Sequence, residues 1–277
     1  MIIERASYCA GHKLGWRTPT IKQLAKCLKA KASRSILDNV TPALETNLWD
    51  QVVEVLDQGQ LGSCTAQSAT QALRMRLIAD GHHGAPLASR LLAYYLARYL
   101  EGEEGADVGS QIATVFEAMA RFGWCPEKVW PYDIETFAQM PDTDAFRQAH
   151  DQRAEVGIHY YEIDATGPKR IDMIRKALTA GYAVTWGAPV TEEFCSTRPN
   201  GIVRRPRSTD VIAGGHAQLI IGHDDRRGAF RNLNSWGPDF GDLSIDPGTC
   251  WVDYEYLTWE YARDFFIVAQ APKGSAL

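Results

Sequence analysis

Residues 57–69, DQGQLGSCTAQSA, set Cys64 behind Gly62 and Ser63 at the start of a stretch that reads as helix. A thiol is a weak nucleophile until it ionises, and the exposed N–H groups of a helix N-terminus favour the thiolate. Cys64 is therefore a candidate nucleophile. The small residues before it allow a tight turn and close approach of a substrate backbone. Gln58, six residues upstream, can aim an amide donor at the same spot and share with the Cys64 N–H the charge of a developing oxyanion.

A nucleophilic thiol needs a proton acceptor, and amide cleavage needs an acid for the leaving nitrogen; histidine serves both near neutral pH. Among seven histidines, His216 opens an apolar strand behind two glycines in AGGHAQLIIGHDD. Asn234 follows 18 residues later in NLNSWGPDFGD, a spacing that suits neighbouring strands. Its side-chain oxygen can accept from the imidazole and fix the ring, and Trp236 can shield that bond from water.

These groups need two kinds of scaffold. Helical periodicity dominates the first part, with segments at 20–32, 63–80, 88–102 and 110–123; CPEKVWPYD follows as a proline-punctuated loop. The polar stretch PDTDAFRQAHDQRAEVG reads as a connection. Beyond it come IHYYEI, a helix at 169–181, and the strand-like runs YAVTWGAPV, HAQLIIGHD, AFRNLNSW, CWVDYEYL and DFFIVAQ. Helices followed by strands give an α+β chain, with the division near 135–157.

The order Gln58, Cys64, His216, Asn234, carried by QGQLGSC, GGHA and NSWG, resembles the papain family of cysteine peptidases, which in general reasoning is the standard case of Cys-His-Asn catalysis. The resemblance runs from about residue 45 to the C-terminus, and KVWPYD also resembles a family segment. It implies a two-lobe fold: a helical lobe over about 45–155, then a twisted antiparallel β-barrel-like lobe over about 156–277, with 1–44 as a basic N-terminal extension. By this resemblance Cys64 is the nucleophile, His216 the base and acid, Asn234 the orienting residue, Gln58 an oxyanion donor and Trp236 a shield and wall for the leaving group. Gly109, Ser110 and Gly215 stand where a substrate backbone would lie. The implied activity is endopeptidase cleavage of protein or peptide substrates by a monomer, with no metal or cofactor. Two features depart from the family pattern: Thr65 replaces an aromatic residue after the nucleophile, and Leu61 replaces a disulfide cysteine.

Other readings compete with this one. The same thioester would serve a transglutaminase or deamidase, and the fold can also carry a non-catalytic binding module. Formal net charge is −5 over 277 residues, which gives no general attraction to nucleic acid or to an anionic membrane. Eight Lys/Arg against Glu4 and Asp38 make residues 1–39 locally basic, which reads as a solvated surface, a partner site or a short inhibitor. The opening residues lack the layout of a secretory signal, and six scattered cysteines without a C-x-x-C pair suggest free thiols in a reducing compartment: cytoplasm, or export by a dedicated route. Cys9, Cys27, Cys125, Cys195 and Cys250 read as inert, His223 as a strand-end residue, and His82 and His83 as exposed. Tyr94, Tyr95 and Tyr99 read as helix packing, and RRPR at 204–207 as a solvated loop.

Overall fold

A computed structural model describes residues 7–19, 36–195, 202–241 and 246–270. The amphipathic helix expected at 20–32 and Cys27 lie outside them. Helix α1, Cys64–Ala79, is buried on nearly every side, as expected of a central helix rich in alanine and threonine. Helix α2, Arg90–Glu101, starts where Ser89 Oγ accepts from the Leu92 N–H and ends on left-handed Gly102. Helix α3, Ile112–Phe122, stops at Gly123, where a Cβ would stand 1.9 Å from the Ala149 carbonyl oxygen. The polar stretch read as a connection contains helix α4, Thr143–Glu155, capped by Asp142. Only Ala145 and Ala149 of α4 are buried, against Leu92, Tyr95, Leu96 and Ala118.

The second part is a sheet. Strands β4 (Ile158–Glu162), β5 (Val184–Thr191), β6 (Ile202–Val203), β7 (Ile212–Asp224), β8 (Ala229–Leu233), β9 (Thr249–Asp253) and β10 (Arg263–Gln270) take the order β4-β10-β5-β7-β8-β9-β6. Strand β3, Glu45–Asn47, also pairs with β7. Pairing is antiparallel except between β6 and β9. The path is open, so the barrel-like closure expected of this lobe is corrected to an open twisted sheet, while the α+β class holds. Helix α5, Pro168–Thr179, crosses from β4 to β5. CWVDYEYL, read as one strand, divides into β9 and helix α7 (Tyr254–Thr258), because the Asp253 carboxylate accepts from the Glu255 N–H and starts a helical turn.

One apolar core joins α1, α2 and α3 to the sheet. A hairpin, β1 (Ser7–Cys9) with β2 (His12–Leu14), leads into this junction. Cys9 is joined to Cys195 at the end of helix α6 (Glu192–Cys195), with Cα atoms 5.5 Å apart. The expectation of free, inert thiols is thereby corrected for these two residues: partners 186 positions apart meet only after folding. Cys64, Cys125 and Cys250 are free and buried.

Candidate active site

Cys64 is the first residue of α1, which points its N-terminus at β7, and the Ala217 N–H donates to Cys64 Sγ at 3.4 Å. The entry to α1 is held by a small network. The hydroxyls of Ser63 and Tyr132 share a hydrogen bond of 2.5 Å, Tyr132 donates to the Gln58 carbonyl, and Gln67 Nε2 donates to Ser63 Oγ. Tyr132 belongs to the KVWPYD loop, which Arg90 steadies by lying 4.0 Å over the phenol ring.

His216 sits on β7 opposite Ala188 of β5, and Asn234 follows β8. The 18-residue separation brings them together: the imidazole Nε2–H donates to Asn234 Oδ1 at 2.7 Å. Asn234 Oδ1 also accepts from the Ser235 N–H. Trp236 stacks on the imidazole with ring centroids 4.7 Å apart, backed by Phe194 and Phe240. The Gln58 N–H donates to the Ser235 carbonyl at 2.9 Å, and Ser235 Oγ donates to Gln58 Oε1 at 2.7 Å, so Gln58 is fixed beside the Asn234 turn.

Residues 12–17, HKLGWR, lie across this constellation. Gln58 Nε2 donates to the Lys13 carbonyl at 2.7 Å and to the Leu61 carbonyl at 3.1 Å. The Trp16 N–H donates to Gly215 O, the Arg17 N–H to Ser110 O, and the Ser110 N–H to Gly15 O. Gly109, Ser110 and Gly215 thus grip the main chain of the segment, and Trp236 stacks on His12 with centroids 5.4 Å apart. Thr65, where an aromatic residue was expected, shares a 2.5 Å hydrogen bond with Ser110. Tyr94 does more than pack: its hydroxyl donates to Asp107 and accepts from the Gly109 N–H. Asp107 also pairs with Lys13 at 2.8 Å and accepts from the Gly62 N–H. Arg17 pairs with Glu101. Gly15 passes so close to Gly62 that a Cβ would stand 1.9 Å from the Gly62 carbonyl oxygen.

Covered by this segment, Cys64 and His216 are both 0 % exposed. Burial pushes the Cys64 thiol up to about 11, against the smaller help of surrounding N–H groups. Burial likewise pushes His216 down to about 4, although its bond to Asn234 acts the other way. The low thiol pKa expected from the helix N-terminus is corrected for this covered state, where loss of water outweighs the helix end. Cys125 and Cys250 are raised to about 12 by burial and have no imidazole partner among their hydrogen bonds. His223 is buried and donates to the Ala43 carbonyl; His82 and His83 are exposed. Among the described residues, no three His, Cys, Asp or Glu side chains are grouped to hold a metal ion.

Residues 45–245 match the model of the papain family cysteine proteases. The chain belongs to that family, and it is a papain-like cysteine peptidase. It is 32% identical over 250 residues to an uncharacterized peptidase C1-like protein of Acanthamoeba polyphaga mimivirus, covering 88% of this chain and 78% of that protein. Xylellain, a cysteine protease from Xylella fastidiosa, superposes with a TM-score of 0.79 at 26% identity, covering 98% of this chain and all of that one. The digestive procathepsin L2 proteinase of the Tenebrio molitor larval midgut shares the fold, with a TM-score of 0.65 at 20% identity over 96% of this chain and 78% of that one. Within this papain-like peptidase, the motifs point to the four candidate side chains, Gln58, Cys64, His216 and Asn234. The covering segment carries no such motif: HKLGWR is unremarkable until its carbonyls and amides meet Gln58, Ser110 and Gly215.

Proposed function

We propose that this peptidase is an endopeptidase working through Cys64, His216 and Asn234, held latent by its own residues 12–17. The observation that carries the reading is the Gln58 carboxamide donating to a peptide carbonyl, that of Lys13, in the same segment whose Gly15 and Trp16 main chain lies at the buried thiol. A substrate carbonyl bound there meets the donor that its oxyanion needs.

With a substrate bound in the uncovered site, the Cys64 proton passes to His216 as the sulfur attacks, giving thiolate and imidazolium. Sulfur attacks the carbonyl carbon, the C=O electron pair moves to oxygen, and Gln58 Nε2–H and the Cys64 N–H hold that oxyanion. Collapse breaks the C–N bond as His216 gives its proton to the leaving nitrogen. His216 then takes a proton from water, whose oxygen attacks the thioester, releasing acid and restoring the thiol. Asn234 keeps the ring in the required orientation throughout, under the cover of Trp236.

Protein or peptide chains are the substrates on this reading. The Cys9–Cys195 bond favours an oxidising location for the latent form. The deciding experiment exposes the full chain, reduced and unreduced, to a mixed peptide library, with mass spectrometry of the cut sites. Cleavage that disappears in Cys64→Ala and persists in Cys125→Ala is expected. Cleavage that survives in Cys64→Ala, or incorporation of a labelled amine into glutamine side chains in place of cleavage, would overturn the proposal.

A further inference from the structure

One carboxylate joins two walls of the site. Asp107 Oδ1, its nearer oxygen, accepts from the Gly62 N–H at 3.1 Å and from the Tyr94 hydroxyl at 2.5 Å; that hydroxyl accepts in turn from the Gly109 N–H at 3.0 Å. Gly62 belongs to the turn that delivers Cys64, and Gly109 precedes Ser110, whose main chain binds Gly15 and Arg17. Glycine at 62 admits the carboxylate, since a Cβ there would stand 3.0 Å from Oδ1. Asp107 is itself held from behind. Arg98, fully buried, donates to the carbonyls of Glu104, Ala106 and Phe137 and lies 4.1 Å over the Tyr94 ring, which fixes the loop that presents Asp107. Burial, and then the charge of Asp107, push the Tyr94 hydroxyl well above its ordinary range, so it stays protonated and able to donate.

No covalent bond makes this tie. Leu61 stands where the family pattern has a disulfide cysteine, residues 103–111 contain no cysteine, and Cys9–Cys195 lies elsewhere. Hydrogen bonds join the walls instead, with Thr65 Oγ1 and Ser110 Oγ, 2.5 Å apart, as a second crossing. A misplacement of about 1 Å between reacting groups can cost about 10²-fold in rate, so a site without a covalent brace depends on such contacts.

The other oxygen has a different partner. Asp107 Oδ2 pairs with Lys13 Nζ at 2.8 Å, and Lys13 Nζ also donates to the Asp107 carbonyl at 2.9 Å. This charge-assisted pair anchors the covering segment near its start. Trp16 anchors it further on, its indole Nε1–H donating to Asp264 Oδ2 at 2.8 Å where Gly187 leaves room for the ring. The brace needs an acceptor oxygen from Asp107, whereas the latch needs its negative charge.

We infer that Asp107 is a positioning residue, bracing the Cys64 turn against Gly109 and Ser110 through its acceptor oxygen while its charge latches the covering segment through Lys13. The inference rests on the peptidase reading above.

The test compares the full chain as wild type, Asp107→Ala, Asp107→Asn, Tyr94→Phe and Lys13→Met. After reduction, kcat and KM on one peptide are taken per titrated Cys64, with melting temperature alongside; without reduction, the rate of Cys64 alkylation is measured. Asp107→Ala removes acceptor and charge, so kcat falls about 10- to 100-fold and alkylation quickens about fivefold. Asp107→Asn keeps Oδ1 and loses the charge: most of kcat returns, and alkylation stays fast. Tyr94→Phe cuts the link to Gly109 and lowers kcat with the Lys13 pair intact. Lys13→Met quickens alkylation and leaves kcat unchanged. A kcat per titrated site in Asp107→Ala equal to wild type, with or without a lower melting temperature, overturns the positioning role, as does a loss that Asp107→Asn shares in full. Alkylation of Lys13→Met no faster than wild type overturns the latch. Each of these leaves the peptidase reading intact, whereas absence of Cys64-dependent cleavage in every form overturns that reading and this inference with it.

Discussion

The carboxamide of Gln58 holds the carbonyl of Lys13 at 2.7 Å, so the donor proposed for the oxyanion is already occupied by the chain's own backbone. On the proposed mechanism Gln58 has two opposing duties. Gln58→Ala is expected to lower kcat by about 10²–10³, the usual cost of losing an oxyanion donor, and at the same time to speed alkylation of Cys64 in the latent chain. Peptide mapping of alkylated Cys64 alongside turnover checks both; a fall in both would show that Gln58 does not hold the segment.

Gly15→Ala places a methyl group against the Gly62 carbonyl. Overpacking of this kind costs roughly 1–3 kcal/mol, and the cost here falls on the closed form alone, so the open fraction should rise about 5- to 150-fold. Initial rates of an unreduced preparation would read the change. Rates equal to wild type would mean that the segment is not what limits access.

Cys9–Cys195 ties β1 to the end of α6. A dithiol reductant supplies two electrons and two protons, becomes a disulfide itself, and leaves two thiols, after which the covalent tie between β1 and α6 is gone. Reduction, or Cys195→Ser without reduction, should increase cleavage and Cys64 labelling. A Cys195→Ser chain as latent as the unreduced wild type would remove the bond from any part in latency.

Acid should favour opening. His216 in the covered site is held near 4 by burial, against its ordinary 6.5, with Asn234 supporting its charge and His12 opposing it. The open form binds a proton more readily below pH 6.5, so closure retains its full stability above that value and loses it progressively as pH falls toward 4. Hydrogen exchange at the Trp16 and Arg17 amides, corrected for intrinsic rates, should therefore quicken between pH 6.5 and 4.5. Exchange independent of pH across that window would count against the linkage.

Asn234→Ala leaves the imidazole in place without its acceptor. Loss of orientation should reduce kcat, though by less than the ~10²–10⁴ that acid–base catalysis by the ring itself contributes. His216→Ala provides the comparison, and equal losses in the two variants would make Asn234 as necessary as the ring.

Cys64, His216, Asn234 and Gln58 were legible in the chain because each sits in a local context that itself has meaning: glycines before a helix start, glycines before an apolar strand, a strand end eighteen residues on. Helix α4 was not, because with only Ala145 and Ala149 buried it has no apolar stripe for periodicity to detect. Helix α7 was missed inside CWVDYEYL because the aromatic run suits a strand, and only the Asp253 cap turns it. Asp264 and Trp16 stayed invisible for a different reason: they are 248 residues apart, and neither has a telling neighbour.

By itself the amino-acid order determined the kinds of element, helices before strands, and the identities of the groups proposed to perform acyl transfer. Both follow from local preferences and short spacings, which a linear chain displays directly. Tertiary structure alone decided that the sheet stays open, that Cys9 meets Cys195, and that HKLGWR covers the thiol with Trp16 seated on Gly187 against Asp264. Those outcomes depend on surfaces brought together across the whole chain, where burial changes the protonation of Cys64 and His216 more than any nearby residue type could reveal.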